Sequence, residues 1–169
     1  MHKNDLNDGK VVLYSDGACS GNPGKGGYGT VLLFKTDNGK VHRKELSDGF
    51  RNTTNNRMEL LGVIEGLKAL KKESEVAIYT DSKYIVNAIN KYWLKSWKKK
   101  GWINSSKKPV KNIDLWKELD SLIAEHKATF NWVKGHSGVV ENEACDELAV
   151  LATQKSDLKE DSGYKAGTV

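Results

Sequence analysis

Three short runs of β-forming residues open the chain, before any helical pattern begins. The runs cover residues 10–14, 28–34 and 41–46. Asn38-Gly39 joins the last two as a tight antiparallel hairpin, because asparagine and glycine tolerate the positive φ angles of such a turn. The stretch 20–27 is dominated by glycine and contains a proline, so we expect a loop there. This interpretation places Asp16 where the first strand gives way to a turn.

Beyond residue 55 the apolar residues follow a helical period. Leu60, Ile64 and Leu67 share one stripe of a helix predicted over residues 55–72. The later elements alternate between strand and helix: strand 76–80, a helix capped by Asp81-Ser82 and ending near 90, a basic segment 91–111, helix 112–126, strand 128–133 and helix 141–154. Strands joined through helices must run parallel. The order therefore predicts an α/β fold with a mixed five-stranded sheet, three antiparallel strands then two parallel, flanked by helices.

The length of 169 residues suits one domain. We assign it to residues 10–155, between a polar N-terminal extension at 1–9 and a polar tail at 156–169 that we expect to be loosely ordered. The extension lacks the apolar segment of a secretory signal, and no apolar run approaches the roughly 18 residues of a membrane helix. We therefore expect a cytoplasmic protein that does not bind membranes. The sequence contains no evidence of oligomerisation, so a monomer is the default expectation.

Charge is distributed unevenly along the chain. The net charge is +5, yet the segment 91–111 contains eight lysines and no acidic residue. The remainder has 27 − 8 = 19 basic residues against 22 acidic ones, a net charge of −3. A basic patch on an acidic body suggests polyanion binding and cation binding by different parts of one protein. The two cysteines, Cys19 and Cys145, are too few for a disulfide framework, and we expect reduced thiols.

Four acidic residues stand where they could bind metal, but each also has a simpler interpretation. Asp16 suits a turn, Asp81 suits a helix N-cap, and Asp146 suits the flank of a helix. Asp81 also follows a strand, where open α/β sheets place ligand chemistry. Glu59 suits a solvated charge near a helix N-terminus. If the four converge, their mutual repulsion requires cations, and an all-oxygen ligand set favours Mg²⁺ or Mn²⁺.

Two glycines make Glu59 the most suggestive of these acids. Gly62 and Gly66 lie three and seven residues after Glu59 on the same helical row. Glycine inside a helix costs about 1 kcal/mol relative to alanine, so two on one row predict close contact with the sheet. Glu59 is then expected at the rim of the packed face.

Five ordered motifs resemble those of bacterial type 1 ribonuclease H, in the free-standing form that has a basic protrusion. They are Asp16 to Gly24, Thr53 to Leu60, Tyr79 to Ser82, Trp132 to Gly138 and Glu141 to Asp146. The resemblance implies an endonuclease that hydrolyses the RNA strand of RNA–DNA hybrids and leaves 5′-phosphate and 3′-hydroxyl ends. It implies two Mg²⁺ ions, with Mn²⁺ as an alternative, bound by Asp16, Glu59, Asp81 and Asp146. His136 is implied to assist proton transfer or product departure, although a loop histidine also suits a residue without a role.

The same resemblance implies contacts to both strands of the hybrid. Minor-groove contacts are implied for Cys19, Gly21, Asn22, Asn55 and Asn56. Asparagine both donates and accepts, which suits the 2′-hydroxyl that marks RNA. A turn at Asn22-Pro23 and a helix cap at Asn55 are the simpler interpretations.

DNA-strand contacts are implied for the basic segment and for a phosphate pocket. The protrusion, called the handle below (91–111), would use Trp93, Trp97, Lys98, Lys99, Lys100 and Trp102. Thr54 and Asn112 correspond to the pocket for a DNA phosphate. Where relatives carry an arginine two residues before that threonine, this chain has Asn52, and Arg51 precedes it. Whether Arg51 serves the pocket stays open.

Three rival functions share parts of this pattern. A non-catalytic hybrid-binding module would keep the handle but lack a carboxylate. A resolvase or transposase core would share scattered carboxylates without the loop Gly135 to Gly138 and the handle. A domain cut from a reverse transcriptase is disfavoured by the start at Met1 and the family-like tail.

Overall fold

Five strands and five helices form the part of the chain that the computed structural model describes, residues 10–165. The predictions for residues 1–9 and for the end of the tail lie outside it. The strands are β1 Lys10–Ser20, β2 Gly24–Lys35, β3 Val41–Thr53, β4 Glu75–Thr80 and β5 Lys127–Trp132. The helices are α1 Asn55–Lys68, α2 Lys83–Asn90, α3 Trp93–Lys99, α4 Ile113–Ala124 and α5 Val140–Thr153.

The strands form one sheet in the order β3-β2-β1-β4-β5. β1, β2 and β3 pair antiparallel, whereas β4 pairs parallel with both β1 and β5. The predicted mixed five-stranded α/β architecture is confirmed. None of the helices within residues 10–165 has the length and apolarity needed to cross a bilayer.

The glycine-rich stretch between the first two strands was expected to be a loop, and this expectation was wrong. β1 continues to Ser20 and β2 begins at Gly24, which leaves only a short turn between them. The glycines serve packing: a Cβ on Gly27 would lie 2.6 Å from the carbonyl oxygen of Ala149 in α5. The sheet therefore needs glycine there so that the α5 backbone can approach, although glycine usually indicates a turn.

Helices cover both faces of the sheet. Leu13, Leu60 and Trp116 belong to a core beneath α1, α2 and α4, while Val12 and Cys145 belong to a second core beneath α5. This arrangement gives three layers, with the sheet in the middle.

The glycine row of α1 approaches the sheet as predicted. A Cβ on Gly66 would lie 2.5 Å from Leu13 Cδ1, and Thr30 Oγ1 donates a hydrogen bond to the Gly62 carbonyl at 2.6 Å. α1 itself ends at Lys68, four residues before the predicted end.

The segment after α5 is attached to β3, contrary to the loose tail that we expected. Lys159 N–H donates to the Gly49 carbonyl, and Arg51 N–H donates to the Lys159 carbonyl, both at 2.9 Å. Leu158 is buried. The tail is thus held against the edge strand β3 at Lys159 rather than projecting from the domain.

Candidate active site

Strand register brings Asp16 and Asp81 together. Ser15 in β1 pairs with Thr80 in β4, so the residues that follow these two stand at the same level of the sheet. Asp16 lies inside the long β1 strand, not at a turn as predicted, and its Oδ1 accepts a hydrogen bond from Gly17 N–H at 2.9 Å. Asp81 does not cap α2; Ser82 does, by accepting from Ile85 N–H.

Gly17 in β1 and Gly29 in β2 allow two helices, α1 and α5, to approach Asp16 closely. A Cβ on Gly17 would lie 2.7 Å from the backbone nitrogen of Glu59, so β1 touches the first turn of α1 there. Gly29 is the cross-strand partner of Asp16, and a Cβ on it would clash with the carbonyl oxygen of Cys145 in α5. The residue after Cys145 is Asp146. Close backbone approach therefore sets the positions of both helical acids.

Three carboxylates converge within one coordination sphere. One oxygen each from Asp16, Glu59 and Asp81 lie within 4.8 Å of one another. Asp146 lines the same open cleft of about 400 Å³ but stands outside that tight group. Glu59 Oε2 is buried, and it has no hydrogen-bond partner within residues 10–165. A buried carboxylate oxygen without a partner is costly, and a hard divalent cation would satisfy it, so these residues fit Mg²⁺ or Mn²⁺.

Burial and mutual repulsion raise the pKa values of these acids. Burial, followed by repulsion from Asp81, raises the pKa of Asp16 to about 8. Burial and then repulsion from Asp16 raise the pKa of Glu59 well above its ordinary value, and burial raises that of Asp81. The folded protein therefore concentrates negative charge that is unfavourable without a cation.

His136 lies on the loop between β5 and α5, at the rim of this cleft. It is exposed and adopts a left-handed backbone conformation with φ 54°. The loop is close to the carboxylates: a Cβ on Gly135 would lie 2.7 Å from Asp81 Oδ2. His136 thus faces the same site as the acids.

The asparagines predicted for the minor groove lie along the cleft and beside it. Asn55 and Asn56 line it and are exposed. Asn22 Oδ1 accepts a hydrogen bond from Asn55 N–H at 3.0 Å, which joins the β1–β2 turn to α1. The cap of α1 is Thr54 rather than Asn55, so the Asn55 side chain is not used as a cap. Gly21 occupies this turn with φ 84°, and the Cys19 thiol contacts the Thr53 carbonyl at 3.4 Å.

The two residues predicted for a phosphate pocket, Thr54 and Asn112, both contact Arg57. Thr54 Oγ1 accepts from Arg57 N–H at 3.3 Å, and Asn112 Oδ1 faces Arg57 Nη1 at 3.5 Å. Asn112 Nδ2 also donates to the Tyr84 hydroxyl at 3.2 Å. Arg51 instead forms an ion pair with Glu160 in the tail. The structure therefore links Thr54 and Asn112 through Arg57 and engages Arg51 elsewhere.

The handle comprises α3 and the loop that follows it. Trp97 packs edge-on against the buried Trp116, and Trp102 is half-buried beside Lys117. Trp93 is exposed. Two of the three tryptophans thus anchor the handle to the domain. Lys98 pairs with Asp120 at 3.0 Å, and Lys99 and Lys100 are exposed.

Comparison with known proteins gives one consistent result. The family model for RNase H matches residues 8–154. A ribonuclease H of Desulforamulus reducens is 56% identical over 149 residues, which cover 88% of this chain and 91% of the relative. A ribonuclease H of Aeromonas salmonicida is 54% identical over a region that covers 92% of this chain and 97% of the relative. The chain belongs to the ribonuclease H family.

Structural similarity within the ribonuclease H family agrees with the sequence match. The crystal structure of LC9-RNase H1, a type 1 RNase H with the type 2 active-site motif, is similar with a TM-score of 0.79 and 31% identity, covering 97% of this chain and 81% of that one. The resemblance drawn from the five motifs is confirmed, and the chain is a hydrolytic nuclease.

Sequence reasoning missed two residues near this ribonuclease H site. Arg57 lies off the apolar stripe predicted for its helix, yet it is buried and forms paired hydrogen bonds with Asp114 and Asp161. Lys83 lines the carboxylate cleft but was not selected. Arginine lying between acids distant in sequence leaves no local pattern, whereas Lys83 could have been found as the residue two after a candidate ligand.

Proposed function

We propose that this chain hydrolyses the RNA strand of RNA–DNA hybrids as an endonuclease, leaving 5′-phosphate and 3′-hydroxyl ends. The observation that carries the proposal is the convergence of Asp16, Glu59 and Asp81, with Asp146 in the same cleft. The curated relatives named ribonuclease H, which cover most of this chain, support the substrate class.

The four acids would bind two divalent cations, Mg²⁺ by preference of the ligand set. When bound, such ions activate a water molecule and stabilise the charge on the leaving oxygen. The chain itself positions these groups: Gly17 and Gly29 fix the helices that present Glu59 and Asp146. His136 at the rim would take up or deliver a proton as product departs, because an imidazole can act both as a general acid and as a general base.

The choice of the RNA strand would rest on two groups of residues, one in the carboxylate cleft and one around Arg57. Asn55 and Asn56 line the cleft and would meet the 2′-hydroxyls of the RNA strand. Thr54 and Asn112 would bind a phosphate of the DNA strand. Both residues are positioned by their contacts with Arg57. The lysines and the exposed Trp93 of the handle would extend this contact.

The decisive experiment is cleavage of end-labelled duplexes with Mg²⁺, with Mn²⁺ and with chelator. We expect the RNA strand of the hybrid to be cut, and RNA–RNA and DNA–DNA duplexes to remain intact. Cleavage that survives the chelator, or that affects all three duplexes equally, contradicts the proposal.

A variant separates catalysis from binding. Asp16→Asn keeps the shape of the side chain but removes the charge that binds the cation. We expect a folded protein that still binds the hybrid, with cleavage reduced at least about a hundredfold, the usual scale for loss of an essential electrostatic group. Near-normal turnover would exclude Asp16 from the ligand set.

A further inference from the structure

Lys83 lines the carboxylate cleft, and its ammonium group lies over the ring of Trp132 beside the cleft. Lys83 is the first residue of α2 and is exposed, and its Nζ lies 4.9 Å from the centroid of the Trp132 ring. Trp132 ends β5, and its Nε1 donates a hydrogen bond to the backbone carbonyl of Asp81 at 3.1 Å. The pair is therefore fixed relative to a candidate metal ligand.

The ammonium group of Lys83 stands out against its surroundings. The cleft that it lines also contains the carboxylates of Asp16, Glu59, Asp81 and Asp146. Within residues 10–165, no salt bridge engages Lys83; its neighbour is the face of an indole. A cation over an aromatic ring is held in place while its N–H groups stay available to an anion.

Lys83 also stands at an unfavourable place for stability. The helix dipole disfavours a positive charge in the first turn, and α2 has no acidic residue there to offset it. Trp132 leaves apolar surface in contact with water, since 45% of its surface is exposed. The Trp132–Asp81 hydrogen bond and the contact between Lys83 and the ring hold the pair in place, and both side chains remain open to contact with a ligand.

We propose that Lys83 and Trp132 form a subsite for a backbone phosphate of the RNA strand, next to the phosphate that is cleaved. The proposal rests on the proposed function, because it places the cleaved strand over the carboxylates. A phosphodiester brings negative charge into a cleft already crowded with acids, and Lys83 supplies the compensating charge. Lysine binds phosphate as a point charge, so contact with the backbone needs no particular base.

The first test compares Lys83→Gln with Lys40→Gln. Lys40 is an exposed lysine beside the β2–β3 hairpin turn, at the end of the sheet opposite Asp16, so it controls for the removal of one charge. The ratio of the KM at 200 mM salt to the KM at 50 mM salt is the quantity compared. For Lys83→Gln this ratio should be about threefold smaller than for the unmodified protein, because one phosphate contact contributes roughly a threefold change over this range. We expect an unchanged kcat and an unchanged or higher Tm.

Hybrid binding is then measured directly in the Asp16→Asn background, so that cleavage is too slow to disturb the titration. Adding Lys83→Gln should reduce the slope of log Kd against log salt by about 0.7–0.9, whereas adding Lys40→Gln should leave the slope unchanged. An unchanged slope with Lys83→Gln overturns the subsite. Since hybrid cleavage by the unmodified protein is scored separately, this failure differs from failure of the proposed function.

The role of the ring is tested by two substitutions of Trp132. Trp132→Phe keeps an aromatic face, and we expect it to retain the contribution of Lys83. Trp132→Leu removes the face, so adding Lys83→Gln to it should weaken binding less than Lys83→Gln does alone. If the two substitutions weaken binding independently, so that their factors in Kd multiply in the double variant, the pairing of the two side chains is overturned.

Discussion

A Cβ atom on Gly17 would lie 2.7 Å from the backbone nitrogen of Glu59, closer than real Cβ contacts come. Gly17→Ala must therefore push α1 away from β1 and separate Glu59 from Asp16. We expect a loss of about 1–3 kcal/mol in the free energy of unfolding, the usual cost of overpacking. We also expect weaker Mg²⁺ binding, measured by isothermal titration calorimetry.

Gly66→Ala is the matched control for this prediction. It overpacks the same interface, against Leu13 Cδ1 at 2.5 Å, but seven residues along the helix from Glu59. We expect a loss of stability with Mg²⁺ binding preserved. Equal Mg²⁺ affinity in both variants would show that the contact between Gly17 and Glu59 does not position the ligands.

The raised pKa of Asp16 predicts a pH-dependent cost to the metal-free protein. Its folded-state pKa of about 8 lies above the ordinary value of 3.8, so the folded state binds a proton more tightly than the unfolded state. The stabilisation from that proton is complete below about pH 4 and is lost as the pH rises through about 8. In chelator, Asp16→Asn should therefore be more stable than the unmodified protein at pH 8, by several kcal/mol, with no advantage near pH 4.

Urea unfolding between pH 4 and pH 8 measures this difference. Asp37→Asn, at an exposed position in the β2–β3 turn, serves as the control, and its curve should follow that of the unmodified protein. The same linkage predicts that Mg²⁺ binds more weakly as the pH falls below 8, because protons compete for Asp16. A stability difference that does not change with pH would contradict the coupling.

The sequence predicted the sheet and its carboxylates better than it predicted the glycines between them. The order of periodic segments determined the topology, since parallel strands need crossovers. Gly27 was interpreted as a loop residue, because glycine more often marks a turn than close packing, and Gly29 was placed in a strand with no packing role assigned to it. Their role depends on α5, which lies more than 100 residues later, and no local pattern contains that information.

Long-range ion pairs escaped prediction for the same reason. Arg57 has a side chain that is 3% exposed and joins Asp114 to Asp161, acids separated from it by 57 and 104 residues. Each of the three alone resembles an ordinary surface charge. The tail was expected to be loose because its polar composition is all that the sequence offers, whereas Asp161 attaches it to a buried cation.

The Arg57 cluster predicts unequal effects for its two acids. Burial disfavours the guanidinium charge, yet hydrogen bonds to Asp114 and Asp161 raise the pKa of Arg57 above its ordinary value. The Asp161 side chain is 10% exposed and that of Asp114 is 44% exposed. We expect Asp161→Asn to cost about 1–3 kcal/mol in urea unfolding and Asp114→Asn less than about 1 kcal/mol.

Arg57→Ala sets the upper limit of this series. It leaves two acids without their cationic partner, and we expect the free energy of unfolding to fall by about 3–5 kcal/mol. The control is Arg51→Ala, whose ion pair with Glu160 is exposed on both sides and should contribute under about 1 kcal/mol. If Asp114→Asn proves as costly as Asp161→Asn, burial does not determine the strength of these pairs.

The handle lysines predict a graded change in the salt dependence of hybrid binding. Lys99 and Lys100 are exposed, whereas Lys98 is engaged with Asp120 at 3.0 Å. Removing one lysine that binds a phosphate should reduce the slope of log Kd against log salt by about 0.7–0.9. Lys99→Gln with Lys100→Gln should therefore flatten the slope by about 1.4–1.8 in fluorescence anisotropy titrations of an Asp16→Asn protein.

Lys71→Gln provides the control, because Lys71 is exposed in the loop that precedes β4, at the opposite end of that strand from Asp81. It removes the same type of charge without touching the handle, and the slope should stay as it is. A slope that the two handle substitutions leave unchanged would remove the handle from the binding surface. A slope that Lys71→Gln also flattens would assign the effect to net charge rather than to phosphate binding, because a screened charge far from the site acts only through the overall field.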